Sequence, residues 1–361
     1  ASDALPEYSY QVTWSTIPGS IPGQLAGAVY PSAPADSSLD WMRIQKLSIG
    51  TTMDLYGGVV SVGVTYYNNL CKDLLVPRTL PSTTGFSTEL SNWAASVRNT
   101  GWEIFFAKQA RKGERSTWTS MLTLTFPRDR LTSFYDLDNS YYKNRFLLHQ
   151  PLEIVKLYLF TGVNEKTGLY TFKDLDGDGS VTEADRVIRR PGISMYGGWT
   201  NNVQIGPWQL DATLEFMIQT GFDYLREIFL NSPPGSLGTD LFSNVPTRLL
   251  DRWQKPGDHA SFQRLTTQEG SDAGQALQMF INSTGMLHDA SFLRLRQLTL
   301  SYNLPTRWLH KMKLNMEGKV YLQMQNLVTV TSYPEVDPML QSGLVCPLVK
   351  SIAIGIQMHL K

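Results

Sequence analysis

Residues 207–220 read Pro207-Trp208-Gln209-Leu210-Asp211-Ala212-Thr213-Leu214-Glu215-Phe216-Met217-Ile218-Gln219-Thr220, and the reading of this stretch decides the fold. Trp208, Leu210, Ala212, Leu214, Phe216 and Ile218 fall on alternate positions, with Gln209, Asp211, Thr213, Glu215 and Gln219 between them. Successive side chains of an extended chain point to opposite faces, so the spacing predicts a β-strand with one greasy and one hydrogen-bonding face. A soluble sandwich strand carries the same alternation, but two carboxylates at mid-strand suit an aqueous lumen on one side and hydrocarbon on the other. The C-terminal stretch repeats the pattern: Ile352, Ile354, Ile356, Met358 and Leu360 oppose Ser351, Ala353, Gly355, Gln357 and His359.

Working outward, the same period predicts strands over 42–54, 58–68, 100–109, 117–127, 141–149, 152–161, 194–205, 291–303 and 316–330. That makes about eleven, with residues 8–14 as a twelfth candidate. Tight turns are expected at Tyr56-Gly57-Gly58, around Gly113 and at Gly206-Pro207, and long connections at 69–99, 162–193, 221–290 and 331–347. Short turns alternating with long loops predict an all-β, antiparallel transmembrane barrel portion with short periplasmic turns and long extracellular loops. Counting strands back from Lys361 puts 162–193 outside; counting forward from Tyr56 agrees only if 141–149 is a strand. Trp199 and Trp208 flank the Gly206-Pro207 turn, and Tyr66, Tyr67, Trp102, Trp118, Tyr302 and Tyr321 lie near other strand ends, as interfacial rings do. Arg294 and Arg296 are placed on one face with Leu298, Leu300 and Tyr302, a polar-to-apolar switch expected where a strand projects beyond the bilayer. The 221–290 connection carries Asn231-Ser232-Pro233-Pro234-Gly235, a helical-looking Val245–Trp253 and a Gly/Ser-rich 270–285. Its length predicts that it caps the barrel mouth or docks on a partner.

Composition agrees with such a wall and narrows the function. The 361 residues carry no net charge, 18% charged and 11% aromatic side chains. No basic excess points to nucleic acid, and no apolar run is long enough for a membrane helix, whereas a barrel strand needs only about 9 to 11 residues. Cys71 and Cys346 match no metal or redox spacing and are read as unpaired. There is no Gly-x-Ser-x-Gly elbow, His-Glu-x-x-His helix or phosphate-binding glycine loop, and His149, His259, His288, His310 and His359 are scattered, so no catalytic step is expected. The opening residues look like the middle of a loop, so the chain is taken as a piece of something longer.

One loop carries ligand chemistry. Asp174-Leu175-Asp176-Gly177-Asp178-Gly179-Ser180-Val181-Thr182-Glu183-Ala184-Asp185 has carboxylates at its first, third, fifth and twelfth positions and glycine at its sixth. That is the spacing of a Ca2+ loop, whose oxygens close to about 2.3–2.6 Å once the chain turns sharply at the glycine. The expected ligands are Asp174, Asp176, Asp178, the Ser180 carbonyl and Asp185, with Thr182 holding a water. Aspartate at the twelfth position reaches the ion less easily than glutamate, which predicts modest affinity or a smaller cage. The alternative is a solvated acidic turn. Leu169–Lys173 reads extended and only Glu183–Ile188 could make a helical turn, so the loop is read as a structural clip and not a regulatory EF-hand.

Several segments resemble the C-terminal barrel portion of the SusC/RagA family of TonB-dependent outer-membrane transporters of Bacteroidetes. They are Val64-Thr65-Tyr66-Tyr67-Asn68 with Asp73-Leu74-Leu75, Val97-Arg98-Asn99-Thr100-Gly101-Trp102-Glu103, the Asp174–Gly179 run with Asp185, and Tyr196-Gly197-Gly198. Ser291-Phe292-Leu293-Arg294-Leu295-Arg296-Gln297-Leu298-Thr299-Leu300-Ser301-Tyr302-Asn303-Leu304-Pro305 and Gln325-Asn326-Leu327 complete the set. The resemblance implies a 22-stranded barrel with an N-terminal plug, energised through TonB and capped by a SusD-like surface lipoprotein that captures oligosaccharides or peptides. Residues 1–361 would then be the C-terminal part of the barrel, with the plug and first strands supplied by the remainder of the transporter. The chain departs from the family pattern in ending Met358-His359-Leu360-Lys361, without a terminal aromatic. A secreted, calcium-dependent β-rich binding module or adhesin is the second reading; it accounts for the aspartates and aromatics but not for the alternation of turn lengths.

Overall fold

The computed structural model describes residues 12–17, 28–34, 36, 38–110, 116–140, 142–231, 246–268, 270–305, 307 and 316–360. The turn at Gly113, most of the Pro-Pro segment, Val245 and residues 8–11 of the twelfth candidate strand lie outside the described residues.

The strands are Thr13–Ile17 (β1), Ala28–Ala33 (β2), Arg43–Leu55 (β3), Val60–Thr79 (β4), Thr88–Lys108 (β5), Ser116–Phe134 (β6), Val155–Tyr158 (β7) and Phe160–Val163 (β8). They continue with Tyr170–Phe172 (β9), Arg186–Arg189 (β10), Gly192–Ile205 (β11), Trp208–Phe222 (β12), Leu287–Asp289 (β13), Phe292–Asn303 (β14), Met316–Thr331 (β15) and Ser351–Leu360 (β16). Leu225–Asn231 (α1) and Asp272–Ile281 (α2) are α-helical. The main sheet runs β16-β15-β14-β12-β11-β6-β5-β4-β3, with β13 attached to β12. From β6 to β16 the neighbouring strands of this sheet pair antiparallel. Two compact units are distinguished: residues 1–50, 65–102 and 127–152, and residues 51–64, 103–126 and 153–361.

Alternating connections follow from the meander. The tight turns at 56–59 and 206–207 fall at one end of the strands, and the long connections 135–191, 223–291 and 332–350 at the other. Turning needs left-handed backbone at Tyr56, Gly57, Gly58 and Gly206, with φ of 52°, 69°, 85° and 57°; Gly pays no steric cost there.

Three sequence expectations change. The 69–99 connection is mostly strand: β4 and β5 extend into a hairpin whose polar residues pair with one another, Arg78 with Glu89 and the Asn92 amide with the Asp40 and Asp73 carbonyls. Charged and Asn-rich segments read as loop because the partner that satisfies them is distant in sequence. The 141–149 candidate is not a strand, since its described residues form turns, with His149 N–H bonded to the Leu131 carbonyl. Candidate 152–161 breaks into β7 and β8, which pair with β10 and β9 away from the main sheet. Losing both leaves the strand parity intact, so 135–191 stays at the long-loop end and nine strands make the continuous wall.

Among the described residues an apolar core lies in the connections, beyond the strand ends. Tyr170, Leu225, Phe229, Leu249, Phe262, Leu277, Phe280, Ile281 and Met286 are buried together, so 153–191 and 223–291 fold onto one another. Tyr170 stacks on Phe280 with centroids 3.9 Å apart, and the Trp253 ring covers Gly168, where a Cβ would collide. Helix α2 begins at Ser271, whose hydroxyl accepts from the Gly274 amide, and it turns Ala273, Ala276, Leu277, Phe280 and Ile281 inward.

Candidate functional site

Register makes the two faces of the wall chemically distinct. On one face Leu210, Leu214 and Phe216 stand opposite Val203, Trp199 and Gly197 of β11 and Leu300, Leu295 and Leu293 of β14. Leu300 and Leu298 pair with Leu322 and Met324, which pair in turn with Ile354 and Ile352. This greasy face is the open one: Ile354 is 79% exposed, Ile352 66%, Leu293 44% and Ile218 48%, whereas Gln219 and Ser301 on the other face are buried. Apolar out and polar in is the reverse of a water-soluble sheet and is the pattern of a strand bathed in lipid. No helix among the described residues is long and apolar enough to cross a membrane.

Aromatic rings punctuate that face. Trp208 packs edge-on against Tyr302, its cross-strand partner, at 4.8 Å beside the Gly206-Pro207 turn. Trp199 does not join it there: it lies six residues up β11 from Ile205, the partner of Trp208, or about 20 Å at strand rise. Its indole N–H donates to the Ser120 hydroxyl at 2.8 Å, and Trp118 donates to the Asn201 amide oxygen at 3.2 Å. Each ring thus satisfies its polar atom within the sheet.

The other face carries the hydrogen-bonding groups expected from Gln209, Asp211, Thr213 and Glu215. Asn202 donates to Asp211, and Gln209 Nε2 reaches the same carboxylate at 3.0 Å. Asn202 and Asp211, with Gln109, Thr119, Thr200 and Thr213, line a recess of about 310 Å³. Donors and acceptors fixed on a rigid sheet can bind hydroxyls or amides in passing, without chemistry.

The sequence placed Arg294 and Arg296 on the apolar face; the structure corrects this. Against β12 the pairing slips, with Thr213 facing Gln297 and Leu214 facing Leu295, so Arg296 is an extra residue, and a bulge of one residue reverses the side on which every earlier side chain falls. Arg294 therefore turns to the polar face and is 1% exposed. Its Nη2 donates to both oxygens of Asp337 at 2.8 Å and its Nε to Thr329 at 3.0 Å. Its Nη1 and the Oε2 of Glu215, its cross-strand neighbour, have no hydrogen-bond partner among the described residues. Nothing in the local sequence signals this pair, because Asp337 lies in a loop 43 residues away.

The long connections are tied to the strand ends by a second buried carboxylate. Asp223, at the end of β12, accepts from Arg248 at 2.8 Å and lies 3.0 Å from His288 Nε2 on β13. Burial would raise its carboxyl, but bonds from His288, the Leu225 amide and Arg248 outweigh that and hold it below the ordinary aspartate value. Loop 332–350 is pinned alongside, with Gln219 donating to the Pro338 carbonyl at 2.9 Å and Tyr333 to the Phe222 carbonyl at 2.5 Å.

The acidic loop is set as its sequence implied: β9 extended before it, one 3-10 turn at Glu183–Asp185 closing it, then β10. Asp174, Asp176 and Asp185 each bring an oxygen within 4.8 Å of the others; Asp178 stands outside that group and holds the Ser180 amide at 2.7 Å. Asp185 is fully buried and accepts from the amides of Leu175 at 2.6 Å, Asp176 at 3.3 Å and Thr182 at 2.7 Å. Bonds from the Thr182 and Leu175 amides hold its carboxyl low. The Asp178 amide lowers Asp176, yet desolvation and repulsion by Asp178, Asp185 and Asp174 leave it raised. Gly177 and Gly179, with φ of 77° and 90°, turn their amides onto Asp174. An all-oxygen donor set with mutual repulsion fits a hard divalent cation.

Comparison with known proteins gives the same architecture. No family model matches the chain. It is 23% identical over 358 residues to TonB-dependent receptor P3 of Formosa agariphila, covering 92% of this chain and 34% of that protein. With TonB-dependent receptor SusC of Bacteroides thetaiotaomicron it shares 22% over 326 residues, 86% of this chain and 31% of that one. A solved structure of the RagAB peptide transporter superposes with a TM-score of 0.76 at 20% identity, covering 97% of this chain and 39% of that one. The chain thus spans about a third of the length of the curated relatives it matches, and the fold is that of part of an antiparallel transmembrane β-barrel.

Proposed function

We propose, from the chain's place with the SusC/RagA family of TonB-dependent transporters, that it walls the channel of an outer-membrane importer of oligosaccharides or peptides. The observation that carries this is the exposed, continuous greasy face backed by a hydrogen-bonding one, since an open sheet of that kind is stable only against hydrocarbon. The secreted binding module of the second reading would have to leave Ile352, Ile354 and Leu300 in water. Gln209, Asp211, Thr213 and Glu215 line the cargo path without any catalytic step. Folded together, segments 153–191 and 223–291 offer an outer surface on which a SusD-like lipoprotein docks. The plug, the first barrel strands and the TonB contact belong to the remainder of the same transporter. RagAB is described as a peptide transporter, which favours peptides over glycans as cargo here.

Ca2+ is proposed as a structural ion held by Asp174, Asp176, Asp178, the Ser180 carbonyl and Asp185, where it would relieve the repulsion that raises Asp176 and fasten the loop beside β10. The function is tested by deleting the coding sequence in its host. TonB-dependent uptake of peptides or oligosaccharides should disappear, and the protein should fractionate with outer membranes; recovery as a soluble, detergent-independent protein would overturn the assignment.

A further inference from the structure

Within the unit formed by residues 1–50, 65–102 and 127–152, strands β4, β5 and β6 and the turn after β6 enclose a cavity of about 270 Å³. Its walls are aromatic and stand at right angles. Trp93 meets Phe134 at 4.8 Å and Tyr142 at 4.5 Å, both edge-on, and Phe146 stacks on Tyr142 at 5.7 Å. Ala95, 3% exposed, contributes to the lining. Alternation along β5 puts Trp93 and Ala95 on the face opposite Trp102, which is 50% exposed on the greasy side. On the importer reading, the face of β5 turned away from the exposed Trp102 ring is the one that meets cargo, and the cavity opens on it. One charged group lines it: the Arg145 guanidinium, 5.4 Å over the Phe146 ring, exposed and without a carboxylate partner among the described residues.

We propose that this cavity binds a single large apolar side chain carrying a free carboxylate, the chemistry of a hydrophobic C-terminal residue of a peptide. Size limits the occupant, since pockets for drug-sized ligands run from about 300 to 1,000 Å³ and this one is smaller. Lining chemistry selects against sugars: ring hydroxyls brought against Trp93, Phe134 and Phe146 would lose water with almost nothing to accept or donate in return. Arg145 selects for the anion, because a carboxylate next to the inserted ring meets a guanidinium that can bond it in bidentate fashion. The inference rests on the importer reading above and names one class of its cargo.

The test uses the complete transporter carrying this chain, solubilised in detergent, with Gly-Gly-Phe, its C-terminal amide and Gly-Gly-Gly as calorimetric probes. Gly-Gly-Phe should bind, and both the amide and the exposed-site variant Arg145→Gln should weaken binding about tenfold. Gly-Gly-Gly, and Ala95→Phe, which fills the cavity, should abolish it. Absence of Gly-Gly-Phe binding in the complete transporter, as would follow if another part of that protein occupies the cavity, overturns the proposal. Binding indifferent to Arg145→Gln and Ala95→Phe overturns it equally. Uptake measured in the same strains separates the two readings: cargo entering in TonB-energised cells while Gly-Gly-Phe ignores the cavity sinks only this subsite. Specific binding at the cavity with no import of any cargo sustains the subsite and sinks the importer.

Discussion

Arg294 is the residue whose role changes most between sequence and structure. A guanidinium at 1% exposure is stable only with its charge matched, and Asp337 matches it in bidentate fashion. Removing one partner strands the other, so Asp337→Ala should destabilise loop 332–350 by about 3–5 kcal/mol, measured as the rise in its hydrogen exchange. Arg294→Met combined with Asp337→Leu should recover most of that loss; equal damage in single and double variants would show the pair to be incidental. The acidic loop is argued at the same scale. If Ca2+ binds, chelation should speed proteolysis between Asp174 and Asp185, Asp176→Asn should mimic chelation, and Asp178→Ala should loosen the loop without stopping barrel assembly. Cleavage identical with and without chelator would remove the ion from the account. The loop's carboxylates are legible in the sequence because they sit within twelve consecutive residues; that Asp174, Asp176 and Asp185 draw together while Asp178 stands outside them came only from the structure. The sequence hid Arg294, because burial there depends on a one-residue bulge and a distant loop.

At the scale of elements, each wall strand has a face whose tolerance is predictable. Leu300 on β14 is flanked by Leu210 and Leu322, so Leu300→Arg should cost about 2–4 kcal/mol if it sits near the bilayer midplane. Thr299→Arg, on the opposite face, should cost far less; urea unfolding in lipid vesicles would show the contrast. Where the strands end, the Asp223–Arg248–His288 cluster holds the long connections. The Asp223 carboxyl is depressed in the folded protein, so its stabilising contribution is complete above the unfolded aspartate value of about 3.9. That contribution fades as pH falls through the lower folded value. Asp223→Asn should therefore increase exchange of residues 247–290 at pH 7, and the difference from the natural protein should close as pH falls below about 3.9; a pH-independent difference would refute the charge argument. Strand existence was legible wherever alternation was strict, as in 207–220. It failed at 69–99, where polar residues pair across a hairpin, and at 152–161, where apolar alternation serves small two-stranded pairs inside a connection.

For the whole molecule the governing fact is where apolar surface goes: into the packed connections, and outward from the wall. Exposed leucines and isoleucines in a continuous sheet face predict aggregation in water and stability in detergent or lipid. The protein should remain folded by circular dichroism in a detergent micelle and precipitate when detergent is withdrawn, and stable monomeric behaviour without detergent would contradict the transmembrane assignment. By itself the sequence determined the β character, the two-faced strands, the alternation of tight turns with long connections and the spacing of carboxylates and glycines in the acidic loop. All of these are local or periodic properties, set by how side chains alternate along an extended backbone. Only the tertiary structure decided that the long connections share one core, that Arg294 lies buried on the polar face and that four rings and an arginine enclose a cavity. Those outcomes depend on registers, bulges and contacts between residues far apart in the chain, and a one-residue slip reverses them.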